Sequence, residues 1–235
     1  ASIVHFHGPH DPKDRLKLLP DKWGKMAEEI RKASGLLIDF GQAGAPWKER
    51  KKLLKLGTGK PDFMGVSLTS HDYRRYSEKR GGYDVSYHHP RPELVEYAAT
   101  TQEYGVKPNW EVWWLGGMWN FNYLEQQGLI EKPYWFNLLF GTEGEVWSPA
   151  TMKEVNHRID HMPKGSHSLI APRNKNDPIK SLHLHTLGIM RGCHVRVGAQ
   201  DIPYFSKGKP AKSNVELVAR IARIAKDLGR EIATP

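Results

Sequence analysis

Apolar residues recur along this chain in two alternating periods. In several short runs every second position is apolar: Leu36, Ile38 and Phe40 oppose Asp39 and Gly41, Met64, Val66 and Leu68 oppose Gly65, Ser67 and Thr69, and Phe136, Leu138 and Phe140 oppose Asn137. That two-residue period predicts strands, here over 2–7, 36–41, 62–69, 109–115, 134–140, 166–171 and 193–197. Between them the apolar positions fall three and four apart, which predicts helices over 21–33, 47–55, 91–104, 118–127, 149–161, 178–190 and 214–228. The last helix opens on Ser213-Asn214-Val215-Glu216, a capping box in which Ser213 accepts from a backbone N–H and Glu216 reaches back to the serine's own N–H. It buries Leu217, Val218, Ile221, Ile224, Ala225 and Leu228 on one face and stops at Gly229.

Seven βα units in series predict a parallel sheet. An open doubly wound sheet would bury both faces against helices and read as continuous apolar runs. Here one strand face is bulky and apolar and the other small or polar. The fold class expected is therefore α/β, a TIM (β/α)8 barrel with helices outside, a polar interior and chemistry at the C-terminal ends of the strands. Ala1 already lies in a strand pattern, no initiator methionine precedes it, and Pro235 closely follows a helix. A single barrel domain over 1–235 is expected, cut at the N-terminus before its first βα unit and also at the C-terminus.

Composition narrows the partners. At 235 residues and 39% hydrophobic, the chain can bury one full core. It has no run of eighteen apolar residues, and its first residues lack the pattern of a signal peptide, so no membrane is expected. One cysteine, Cys193, suits a reducing compartment, and a cytoplasmic location is expected. The net charge of +9 favours anionic partners. The basic residues are scattered over 48–55, 74–80 and 207–212 and the aromatics lie in strand-like runs, so nucleic acid is not expected.

Three phrases carry candidate chemistry. His5 and His7 are two apart in a strand, put both imidazoles on one face, and are followed at once by Gly8-Pro9, which is metal-ligand geometry at a strand end. Arg196 shares a strand face with His194, while Val195 and Val197 take the other, so its guanidinium points into the barrel. Such an arginine needs a carboxylate or an anionic substrate, and Asp201 is the nearest in sequence. Asp39, Ser67, Thr69 and Glu111 also face inward, either as substrate contacts or as satisfied core polar groups. His88-His89 and His183-Leu184-His185 read as surface or packing residues.

Ile3 to His7, Gly105-Val106-Lys107-Pro108-Asn109-Trp110-Glu111-Val112, and the block from Gly192 through Ser213-Asn214 to Pro235 resemble the β-keto acid cleavage enzymes. The resemblance runs over essentially the whole chain. It implies a TIM barrel that binds zinc through two strand histidines and a glutamate after the last strand, and that cleaves a β-keto acid with acetyl-CoA to give acetoacetate and a new CoA thioester. Residue by residue, it makes His5 and His7 metal ligands, Arg196 the orienting arginine and Asp201 the acid–base group. The third ligand falls on Gln200, a neutral carboxamide in place of a carboxylate. The family's hydroxyl-bearing turn reads Gly41-Gln42-Ala43-Gly44, and Asp39 replaces an asparagine. The partners implied are a β-keto acid and acetyl-CoA, and a homo-oligomer is expected. Two other functions compete: a metal-dependent barrel aldolase or hydrolase, and a non-catalytic keto-acid-binding protein whose metal site has decayed.

Overall fold

The computed structural model describes residues 2–41, 44–77, 81–141, 147–174 and 177–235, leaving aside the side chains of 74–77. Its centre is a seven-stranded sheet formed by β1 (Ile3–Phe6), β2 (Leu37–Phe40), β3 (Phe63–Ser67), β6 (Lys107–Val112), β7 (Trp135–Phe140), β8 (His167–Pro172) and β9 (His194–Val195), in that spatial order. Every neighbouring pair is parallel. The seven strands are thus the seven expected from alternation, and their order follows the chain, as connection through one helix per step requires. The sheet curls until its two edge strands approach. Past their C-terminal ends, His7 and Gln200 lie 3.4 Å apart, and near their N-terminal ends Ser2 Oγ donates to the Ala233 carbonyl. The result is an α/β half-barrel with a groove of about 440 Å³ between β1 and β9, lined by Ile3, Val4, Val195, Val197, Val218 and Ile221.

Among the described residues seven α-helices surround it: α1 (Pro20–Ser34), α2 (Trp47–Arg50), α3 (Arg91–Glu103), α4 (Gly117–Gln126), α5 (Met152–Asp160), α6 (Pro178–Met190) and α7 (Asn214–Asp227). The expected helix over 47–55 is divided, since Lys51–Lys55 tightens into a 3-10 turn after α2. At α7 the serine half of the capping box is present, with Glu216 N–H donating to Ser213 Oγ at 3.3 Å. The reciprocal half differs from expectation: Glu216 Oε2 accepts from Lys212 N–H, one residue earlier, at 2.8 Å.

Alternation sorts the strand residues as expected. Ile38, Phe40, Met64, Val66, Trp110, Val112, Phe136, Leu138, Phe140 and Ile170 belong to one buried cluster with the helix residues Trp23, Leu94, Tyr97, Phe121 and Leu184. Each such large side chain contributes about 1.5–3 kcal/mol through burial. Asp39, Ser67, Asn109, Glu111 and Asn137 take the intervening positions. The rim is braced by Arg158 of α5, fully buried, whose guanidinium donates to the carbonyls of Val112 (2.6 Å), Trp113 (3.0 Å) and Leu139 (2.7 Å) where β6 and β7 end.

Two hairpins were not expected from the apolar pattern. β4 (His71–Ser77) and β5 (Gly81–Tyr87) form a seven-residue antiparallel arm after β3. β10 (Tyr204–Ser206) and β11 (Lys209–Pro210) form a short one before α7. No described helix is long and apolar enough to cross a membrane.

Candidate active site

β1 and β9 bring the two charged phrases of the sequence to one rim. β1 ends just past Phe6 because Gly8 packs under the Trp23 ring, where a Cβ would come within 2.4 Å, and Trp23 Nε1–H donates to the Pro9 carbonyl at 3.0 Å. His5 therefore sits on the strand and His7 immediately beyond it, their rings edge to face with centroids 5.2 Å apart.

A polar chain fixes the tautomer of His5. Its Nδ1–H donates to Asp39 Oδ2 at 2.7 Å, and Asn109 Nδ2 donates to the same oxygen at 2.8 Å. Nε2 is left as the lone-pair nitrogen, buried and without a partner. Across from it Gly41 leaves a small open space: a Cβ there would lie 2.5 Å from His5 Nε2 and 2.5 Å from His7 Nε2. The two nitrogens therefore face one point and are no farther apart than twice that distance. Loss of water around its ring, and then His5 and Arg196, hold the pKa of His7 below the ordinary histidine value, which favours the neutral, ligating form.

An orphaned imidazole nitrogen, a second one converging on it, and a carboxylate bonded behind the first fit a divalent ion. Among the described residues no group of three His, Cys, Asp or Glu side chains is placed to hold one. The third group at hand is Gln200, whose amide Nε2 lies 3.4 Å from His7 Nε2; half a turn of the amide presents Oε1 instead.

Arg196 meets Asp201 as a fork, Nε to Oδ2 at 2.7 Å and Nη2 to Oδ1 at 3.0 Å. Asp201 is 2% exposed and reaches this position through a tight turn in which its N–H and that of Ile202 both donate to the Gly198 carbonyl. Asn214, the first residue of α7, supports the turn by accepting from Ala199 N–H at 2.8 Å. Burial alone would raise the Asp201 pKa, but Arg196 and then Arg173 outweigh it and hold the carboxyl below its ordinary value. For Arg196 burial is likewise outweighed, by Asp201, and its pKa is raised.

The other expected site residues divide. Ser67 and Glu111 occupy paired positions on β3 and β6, with Ser67 Oγ donating to Glu111 Oε2 at 3.0 Å. Burial pushes the Glu111 carboxyl up, against the pull of His5 and Arg196. Asp39 stands behind His5. Thr69 lies past the end of β3, where its Cγ2 comes toward Gly117 and its carbonyl meets His71 Nδ1 at 3.3 Å. The structure does not join Thr69 to the charged cluster. Of the expected turn, Gln42 and Ala43 lie outside the described residues.

Several participants have no role assigned by the alternation argument. Asn109 was in view only as part of a motif. Arg173 follows β8, and its Nε lies 3.5 Å from Asp201 Oδ1. His185 of α6, read as a packing residue, is buried and donates from Nε2 to the Arg196 carbonyl at 2.9 Å, while His183, two residues before it, is exposed.

Comparison with known proteins gives consistent findings. A model of the beta-keto acid cleavage enzyme family matches residues 1–235. A 3-keto-5-aminohexanoate cleavage enzyme of Fusobacterium nucleatum is 38% identical over 242 residues, covering 100% of this chain and 80% of that protein. Its namesake in Acetoanaerobium sticklandii is 28% identical, covering 100% and 81%. The 3,5-dioxohexanoate:acetyl-CoA acetone transferase of Paraburkholderia graminis is 21% identical, covering 100% and 80%. Among solved structures, the apo structure of ObcA matches with a TM-score of 0.69 at 16% identity, a likeness of fold. The match covers 100% of this chain, which spans 59% of that structure.

Proposed function

The chain belongs to the β-keto acid cleavage enzyme family, and from that premise we propose that it uses acetyl-CoA to cleave a β-keto acid, releasing acetoacetate and a new CoA thioester. The observation that carries the reading is the meeting of the His5–His7 pair with the Arg196–Asp201 pair at one rim. In this reading the groove between β1 and β9 takes one further βα unit, which completes a (β/α)8 barrel.

His5 and His7 would hold a zinc or other divalent ion through Nε2, with Gln200 Oε1 as oxygen donor, and the ion when bound would polarise the substrate's oxygens. Asp39 and Asn109 keep His5 Nε2 turned toward that position. Asp201 takes a proton from the carbon between ketone and carboxylate. A carboxylate held by a guanidinium fork is ionised but weakly basic, so the step depends on stabilising the enolate. The enolate carbon attacks the acetyl carbonyl of acetyl-CoA, forming a C–C bond and expelling CoA thiolate. The thiolate adds to the original ketone, the older C–C bond breaks to give the new thioester, and Asp201 returns its proton to the departing carbon. Ser67 and Glu111 supply polar contacts on the inner wall, Thr69 stands at the rim, and the positive surface attracts the CoA phosphates.

The test is acetoacetate formation by metal-loaded protein from acetyl-CoA and a panel of β-keto acids, with Asp201→Asn slowed by about 10²–10⁴-fold. Turnover of another carbonyl substrate without acetyl-CoA would favour an aldolase or hydrolase. Keto-acid binding with no turnover and no retained metal would favour a binding protein, the reading that Gln200 supports.

A further inference from the structure

We infer that Arg173 is a positioning residue for proton transfer by Asp201, and that Tyr73 on the β4–β5 arm fixes Arg173 in turn. This rests on the acid–base role proposed for Asp201. Asp201 stands on a turn, not on a strand, and the side chain that bonds it among the described residues, Arg196, is only five residues away. A fork of that kind lets carboxylate and guanidinium move as a unit. Arg173 adds an anchor from a different strand, with Nε 3.5 Å from Asp201 Oδ1. It makes no hydrogen bond through this buried Nε, so the approach to Asp201 is the contact that this nitrogen has.

Three contacts hold the guanidinium of Arg173 itself. Nη2 donates to Tyr73 Oη at 2.8 Å, and the group lies 5.4 Å from the Tyr73 ring centre and 5.0 Å from that of Trp147. The two rings are themselves packed edge to face at 5.0 Å. Trp147 Nε1–H donates to the Asp72 carbonyl at 3.1 Å, which ties the same tryptophan to the first strand of the arm. A cation placed between two aromatic rings and bonded to one phenol has its plane fixed more firmly than its charge alone requires. The arm thereby reaches Asp201 through one intermediary, so the seating of a hairpin at the surface sets the aim of the proton-transferring carboxylate.

The experiment follows hydrogen–deuterium exchange at the acidic carbon of acetoacetate in D2O by NMR, without acetyl-CoA, alongside kcat and KM for acetyl-CoA-dependent cleavage. Arg173→Ala should slow exchange and kcat about 10- to 100-fold while KM for the keto acid stays within about twofold, a part of what acid–base catalysis contributes. Added guanidinium should restore part of the exchange rate, and Arg173→Lys should be intermediate. Tyr73→Phe, which keeps the ring and removes one hydroxyl, should slow exchange about threefold or more and tests the inference if Arg173→Ala does not fold. The inference is overturned if the Arg173 variants raise KM alone, which would make Arg173 a substrate-binding residue, or if Tyr73→Phe exchanges at the wild-type rate. Wild-type exchange without any cleavage would refute the proposed reaction while the variant comparison still decided this point. Absence of exchange in the wild type would overturn both.

Discussion

Alanine at Gly41 is the sharpest single perturbation of the proposed metal site. Gly41 is not among the glycines of positive φ, so its backbone accepts a side chain. The added Cβ would lie 2.3 Å from His5 Cε1 and 2.5 Å from the Nε2 atoms of both His5 and His7. All three separations are far inside van der Waals contact. His5 can retreat only by giving up its 2.7 Å bond to Asp39, worth about 1.5–3 kcal/mol for a charged acceptor. His7 lies past the end of β1 and has no bond to Asp39 to hold it, and is therefore the ring that turns away. Overpacking of this size costs about 1–3 kcal/mol, and at this chain length each kcal/mol lowers Tm by about 2–4 °C. The fold should survive while the nitrogens cease to converge. Titration calorimetry with zinc should show affinity falling beyond the roughly 10–100-fold lost when only an outer partner of a ligand is removed. Zinc bound by Gly41→Ala as tightly as by wild type, with unchanged turnover, would refute the two-histidine site.

Three further outcomes are expected. Gln200→Glu should bind zinc more tightly by calorimetry, because an anionic oxygen joins two neutral imidazoles; equal affinity would mean that position 200 does not reach the ion. Asn137 is wholly buried with neither amide atom hydrogen-bonded, so Asn137→Leu should raise stability in urea by about 1–3 kcal/mol while lowering turnover; a loss of stability would show that the amide is satisfied in solution. Burial pushes His185 down to about 4, against an ordinary value of 6.5, so between those values the unfolded chain binds a proton that the folded chain refuses. Stability should therefore fall as pH drops through that window, by about 1.4 kcal/mol per pH unit for this residue, and level off below it. His185→Gln, which can still donate to Arg196, should reduce that slope, and an unchanged slope would assign the acid sensitivity elsewhere.

The sheet was legible because its strands carry two different faces. Met64, Val66 and Leu68 could be assigned to the helix side and Ser67 to the interior without knowledge of any neighbour, since a period of two leaves no other arrangement once one face must be buried. The rim residues His5, His7, Arg196 and Asp201 were legible for a related reason: polar groups next to strand-ending glycines have few places to go. The β4–β5 arm was not, because its strands read His-Asp-Tyr-Arg-Arg-Tyr-Ser and Gly-Gly-Tyr-Asp-Val-Ser-Tyr. β5 does alternate, with Tyr83, Val85 and Tyr87 half-buried and Gly82, Asp84 and Ser86 exposed, but the polar residues interspersed in β4 give it no apolar period of its own. Cross-strand pairing holds such a hairpin together, and the partner of β5 cannot be read from its own alternation. Arg173 was hidden by the same blindness, since its partners Tyr73 and Asp201 lie 100 residues before it and 28 after it in sequence.

Buried polar atoms without partners are otherwise few in folded proteins, and their distribution here argues for function. His5 Nε2, Asp39 Oδ1, Asn109 Oδ1, both amide atoms of Asn137, and Arg173 Nε are all left unbonded. They come from β1, β2, β6 and β7 and from the residue that follows β8, around the inner face of one sheet, while others such as Trp47 Nε1, Arg50 Nη1 and Arg158 Nε belong to the surrounding helices. Each costs about 1–3 kcal/mol relative to a satisfied or apolar alternative. A core selected for stability alone would replace them with apolar residues, as at the helix-facing positions of the same strands, where Ile38, Trp110, Phe136 and Ile170 stand. The contrast between two faces of one sheet cannot come from strand propensity or from chain topology, which both faces share. It follows if the inner face holds a bound ion and substrate: the lone pair of His5 Nε2 suits a cation, the oxygens of Asp39 and Asn109 are acceptors that a cation or a hydroxyl would meet, and Asn137 Nδ2 is a donor that a ketone or carboxylate oxygen would meet.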